Sequence, residues 1–188
     1  MSRNRINNRL GQMESMVLSD NDILQAVKAG EIAFSPKMKP GQLNGASVDL
    51  TLGGVFWKFK EKYVKAGEVD LSKVGFAEAT YKVNAPKIRL GPSEMCLGIT
   101  EEKITLSPGI IGTLEGRSRF ARMGLAVHVT SALVQPGSSN HQVLEIVNMA
   151  PFPVVIRKGM RISQVVFERL ESPTTKPYAR FGKIATKQ

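Results

Sequence analysis

From Gly116 to Glu145 the chain reads GRSRFARMGLAVHVTSALVQPGSSNHQVLE, and three local signals follow one another within it. Gly116-Arg117-Ser118 breaks the apolar run before it. Ser118 to Arg122 then spans one helical turn, and Gly124 is suited to end it. Ser118 and Arg122, four residues apart, share a face. Beyond the Pro136-Gly137 turn, Gln142 to Asn148 has the branched, apolar character of a largely buried strand, and alternation puts Val143, Glu145 and Val147 on one side. Glu145 is the odd residue there. A carboxylate in such company must be protonated, paired with a cation or set in a wet pocket, because an isolated buried charge is too costly to keep. A structural Glu-to-Arg pair and an ordinary solvated face for Arg117, Arg119 and Arg122 are the plain alternatives. Convergence of a base candidate, a hydroxyl and guanidinium groups within one short segment favours a functional site.

Working outward, the same strand character recurs. Short β-rich runs cover Val48 to Leu52, Val55 to Phe59, Lys82 to Val83, Lys87 to Leu90, Met95 to Thr100, Gly109 to Leu114, Ala126 to Thr130, Val154 to Arg157 and Ile162 to Glu168, separated by turns at Gly91-Pro92, Ser107-Pro108 and Lys158-Gly159. Gly53-Gly54 also reads as a turn. This density predicts an all-β fold, a distorted barrel or jelly-roll-like sandwich with a few short helices. One helix is expected after Ser19, a good N-cap, with Gly30 closing it. Gly67 to Thr80 is irregular and reads as a surface excursion or lid. Residues 1–15 carry Arg3, Arg5 and Arg9 against Glu14 without apolar periodicity, a flexible basic extension. Residues 16–188 are expected to form one domain with a carboxyl-terminal arm from about residue 172.

The chain has 26 basic and 16 acidic residues and a net charge of +10, so an anionic partner is expected. No apolar run approaches the ~20 residues that span a bilayer, and the start lacks a secretory signal core, which predicts a cytoplasmic protein without a membrane. Cys96 is the single cysteine. It reads as a buried strand thiol, and it cannot supply the H-x-E plus P-C-x-x-C ligand set of zinc deaminases, so no zinc and no protein-held metal are expected. His128, between Val127 and Val129, reads as a packed or hydrogen-bonded strand histidine. No P-loop is present.

The run GRSRFARMGLAVHVT, followed by PG, VLE and KGMRISQVVF, and preceded by Asn44-Gly45-Ala46-Ser47-Val48-Asp49-Leu50, closely resembles the dCTP deaminase branch of the dUTPase-like superfamily. The resemblance extends to Lys176-Pro177-Tyr178. It implies a homotrimeric dUTPase-type fold with sites between subunits, and hydrolytic deamination of dCTP to dUTP and ammonia. It implies Glu145, Arg122 and Ser118 as the catalytic group. By the same likeness Arg117, Ser118 and Arg119 hold the triphosphate, Val129 reads the pyrimidine edge, and Val143, Leu144, Gln164, Tyr178, Lys183 and Gln188 complete the nucleotide contacts. The magnesium ion would be carried by the triphosphate. Arg122 is expected to keep Glu145 ionised, the arm from Tyr178 to reach over a neighbour's nucleotide, and dTTP to be a possible inhibitor.

The chain departs from the family pattern around its Pro-Gly turn. An acid usually precedes that pair and an aromatic residue follows it, whereas this chain has Gln135 and Ser138. Gln135 hydrogen-bonds a hydroxyl but cannot act as a base at neutral pH, which opposes phosphohydrolysis. Two rival readings remain: a dUTP diphosphatase or bifunctional enzyme, supported by Gln164 and Asp49, and a non-catalytic nucleotide sensor or nucleic-acid-binding module supported by the positive charge. Nucleic acid is the less expected partner.

Overall fold

The structure, a computed structural model, describes residues 17–182; the expected basic extension at 1–15, Lys183 and Gln188 lie outside them. The elements run α1 (Asp20–Lys28), β1 (Ile32–Ser35), β2 (Val48–Phe59), α2 (Glu61–Val64), α3 (Phe76–Ala79), β3 (Thr80–Asn84), β4 (Lys87–Leu90), β5 (Met95–Leu106), β6 (Ile110–Gly116), α4 (Ser118–Ala121), β7 (Leu125–Val127), β8 (Leu133–Val134), β9 (Ser139–Asn148), β10 (Val154–Arg157) and β11 (Arg161–Arg169). A 3-10 turn follows at Tyr178–Arg180. The protein is therefore mostly strand with short helices.

A main sheet is ordered β7-β9-β5-β2-β11-β6-β8, with β1 added on β5 and β3 on β2, while β10 and β4 form a separate pair. The described pairings are antiparallel. Antiparallel strands with one core face alternate buried and open positions, and β9 does so over its whole length. Leu144 and Ile146 point into the core with Leu50, Leu52, Phe56 and Phe167. Val143, Glu145 and Val147 occupy the half-open face.

Gly53-Gly54 is not a turn. β2 runs unbroken through it, joining what read as two strands into one of 12 residues. The glycines instead permit close approach: a Cβ on Gly53 would sit 2.9 Å from the Ile99 carbonyl oxygen. The β2–β5 register shifts across this point, so β2 lies beside β11 at its start and beside β3 at its end. β7 is shorter than expected because His128, at φ +53°, leaves the extended conformation. β1 and β8 were not legible as strands, and the irregular region before Thr80 contains α3. Helix α1 begins as expected, with a capping box between Ser19 and Asp22. Among the described residues no helix is long and apolar enough to cross a membrane.

Candidate active site

Strand alternation delivers Glu145 to a cleft of about 710 Å³ whose wall includes His128, Ser138, Gln142, Val143 and Tyr178. Glu145 faces Leu97 across the β5–β9 ladder. β7 lies on the other edge of β9, and just beyond it the His128 amide donates to the Glu145 carbonyl at 2.7 Å. The left-handed backbone at His128 lets its ring turn back toward the same residue. Its Nδ1 lies 2.9 Å from Glu145 Oε2, and its Nε2 lies 2.6 Å from the Ser131 carbonyl oxygen.

These contacts constrain the protons. A carbonyl oxygen only accepts, so Nε2 carries hydrogen. Nδ1 and the carboxylate oxygen Oε2 face one another beside the cleft. The two atoms are near but misaligned for a formed hydrogen bond, and neither has another partner. Other shielded carboxylates of the sheet differ. Glu102 accepts from Gln42 Nε2 and from the Thr51 amide, both at 2.8 Å, and Asp49 is held by Arg117 and Asn44. Those two are satisfied structural groups; Glu145 is left with capacity for chemistry.

Arg122, expected to keep Glu145 ionised, does not reach it within one chain. Arg122 is exposed at the end of α4 and makes no ion pair with Glu145; His128 holds that place. A four-residue α4, ended by Gly124 at φ +79°, turns the chain directly into β7 and carries Arg122 to the outer side. Ser118 is likewise exposed and lines a different cleft, also about 710 Å³, together with Gly116, Val129, Met149 and Gln164. His128 stands on the wall of both.

Of the remaining predicted contacts, Gln135, Val143 and Tyr178 line the Glu145 cleft. Leu144 does not, because its side chain alternates into the core and is fully buried. Arg117 bonds Asp49 Oδ2 at 2.9 Å, with the Arg161 guanidinium 4.0 Å from the same oxygen. Arg119 lies over the Phe120 ring. Gln164 accepts from Ser47 Oγ and donates to the Gly116 carbonyl, so both ends of its amide are engaged. Tyr178, expected over a neighbour's nucleotide, packs on its own chain: its amide donates to the Pro136 carbonyl at 2.9 Å. Reading the sequence missed Trp57, Phe76 and Ser138, which share this cleft. His128, expected to be packed or hydrogen-bonded, is both, being buried and bonded to the Ser131 carbonyl, but no local signal marked Glu145 as its neighbour.

A family model described as dCTP deaminase-like matches residues 17–170. The dCTP deaminase of Alteromonas mediterranea is 39% identical over 173 residues, covering 87% of each chain. A dUMP-forming dCTP deaminase from Nocardioides sp. is 39% identical over 174 residues, covering 89% of this chain and 88% of the relative. The crystal structure of 2'-deoxycytidine 5'-triphosphate deaminase from Agrobacterium tumefaciens superposes with a TM-score of 0.64 at 18% identity, over 83% of this chain and 49% of that one, a likeness of fold. The matched span runs from the first described residue through the end of β11 and holds the lining of both clefts except Tyr178: the chain belongs to the dCTP deaminase-like family.

Proposed function

We propose that this protein hydrolyses the amino group of dCTP to give dUTP and ammonia, in the supply of pyrimidine deoxynucleotides in the cytoplasm. Its relatives carry that name, and the observation that carries the reading here is the Glu145–His128 pair at the wall of the cleft. Water attacks C4 of cytosine: an O–C4 bond forms while Glu145 takes one proton of the water and delivers it to N3, where it stays; Glu145 then takes the remaining proton from the C4 hydroxyl and delivers it to the amine as the C4–N4 bond breaks. Ammonia leaves, and the C4 oxygen becomes the carbonyl of uracil. His128 holds the carboxylate in place and shares the proton that it gains.

Ser118 and Arg122 enter this scheme through a second copy of the chain. Glu145 and Ser118 open into separate clefts of one molecule, which supports a homotrimer whose sites lie between subunits. Arg117, Arg119 and Arg122 would meet the triphosphate. Among the described residues no three of His, Cys, Asp and Glu converge as a metal site, and the ion of this scheme is one carried by the triphosphate. Magnesium would there offset phosphate charge. Residues 16–188 would act as one domain, with the arm from about residue 172 serving the cleft through Tyr178.

Incubation with dCTP and magnesium, scoring ammonia, dUTP, dUMP and dCMP together, tests the reading. Ammonia with accumulating dUTP is expected, since neutral Gln135 gives no base for phosphohydrolysis. Nucleotide binding without product would overturn it in favour of a sensor.

A further inference from the structure

One group in the Glu145 cleft has no assigned use. Ser138 is 2% exposed and lines the cleft, yet its Oγ is buried without a hydrogen-bond partner. A buried hydroxyl left unsatisfied is uncommon and calls for a partner that the isolated chain lacks. Its neighbour shows the ordinary outcome: Ser139 Oγ meets Thr105 Oγ1 at 2.7 Å. The backbone of Ser138 is fixed, donating to the Gln135 carbonyl at 3.2 Å and accepting from the Leu106 amide at 3.0 Å. Rotation about χ1 between staggered wells is the freedom that remains, and it can present Oγ to the cleft.

The surrounding chemistry indicates what that partner is. At the Ser138 end Gln135 shares the turn and Tyr178 is held to Pro136, while Asn140 and Gln142 of the same lining bond each other, all neutral polar groups, whereas the one lysine of the lining, Lys82, lies over the Trp57 ring, which meets Phe76. A triphosphate needs cations or converging amides, so this end does not suit phosphates. It suits sugar hydroxyls. The turn presents two polar groups, the Gln135 amide on the cleft wall and the unpartnered Ser138 hydroxyl, bracketed by the Ser138-to-Gln135 backbone bond. A 2'-deoxyribose within a nucleotide has one free hydroxyl. A ribose has two, adjacent on the ring and matched in number to these groups.

We infer that the cleft accepts cytosine ribonucleotides as well as deoxyribonucleotides, with Ser138 Oγ bonding the 2'-hydroxyl and Gln135 the 3'-hydroxyl. This rests on the deaminase reading of the same cleft. The reaction is the same exchange, CTP and water giving UTP and ammonia.

The test compares CTP with dCTP on the wild-type protein, by kcat/KM for ammonia release and separately by equilibrium binding. The expected kcat/KM for CTP is at least about one-tenth that for dCTP, because a site with a partner for the extra hydroxyl has no means of rejecting it. A value below one-tenth overturns the inference and leaves dCTP deamination standing. If neither nucleotide is deaminated, the deaminase reading fails, and the ratio of binding constants still decides sugar selection by the same threshold. In Ser138→Ala the selectivity for CTP over dCTP should fall about tenfold, the loss of one hydrogen bond to a buried partner. An unchanged ratio in a folded variant removes Ser138 from sugar recognition.

Discussion

At the residue scale, Glu145 and Cys96 show how environment separates a group open to a cleft from an enclosed one. Both lie on adjoining strands of the same sheet, and Cys96 pairs with Ile146, the next residue along β9. Burial pushes the Cys96 thiol up to about 12, with Lys58 opposing that rise slightly. It stays a thiol at neutral pH and should resist iodoacetamide in the native protein while reacting fully in denaturant; native labelling at pH 8 would contradict its packing. The same shift makes a pH prediction. Between the ordinary thiol value of 9.0 and about 12, the unfolded chain releases a proton that the folded chain keeps, so this group's contribution to stability is complete below that window and declines as pH rises through it. Equilibrium unfolding of wild type and Cys96→Ala should show the wild-type advantage shrinking in that range. For Glu145, the proposed base, replacement by Gln is expected to keep shape and nucleotide binding while removing the carboxylate. We expect kcat to fall by roughly 10²–10⁴-fold, and appreciable retained turnover would move the role elsewhere.

At the element scale, the junction between α4 and β7 decides where the site's residues go. Gly124 sits at φ +79°, and a Cβ there would meet the Ala150 amide nitrogen at 2.7 Å. Gly124→Ala therefore combines left-handed strain with a backbone clash and should destabilise by about 1–3 kcal/mol or more, read from urea midpoints. Because β7 carries the chain into His128, we also expect activity per folded molecule to fall; full activity would mean the junction does not position the pair. The strand content was largely legible in sequence because alternation and turn residues are local properties. β2 was misread for a related reason. Gly53-Gly54 carries the usual signature of a turn, and only the approach of Ile99 reveals that the glycines clear space within a continuous strand.

At the scale of the whole molecule, the two clefts of one chain hold complementary parts of the proposed machinery. If the site is completed by another copy, Glu145→Gln and Arg122→Ala, each inactive alone, should restore activity when mixed, unfolded together and refolded into hybrids. Each hybrid can contain a junction with both native residues. Absence of recovery, with mixed assemblies confirmed by mass, would place both residues in one chain's site. A single trimeric species in analytical ultracentrifugation is expected of the wild type, and its sedimentation checks the assembly independently of catalysis.

Sequence alone determined the all-β class, the helix launched from Ser19, and the place of Glu145 as a carboxylate in an apolar strand. Each depends on interactions within a few residues, where spacing and side-chain chemistry suffice. The tertiary structure decided that within one chain His128 is the residue that meets Glu145, that Leu144 turns inward, that Arg117 is tied to Asp49, and that Ser138 is buried without a partner. These depend on strand register and on a left-handed bend at one histidine, which bring together groups far apart in the chain. Such contacts follow from how whole strands align, and a local pattern contains no record of that alignment.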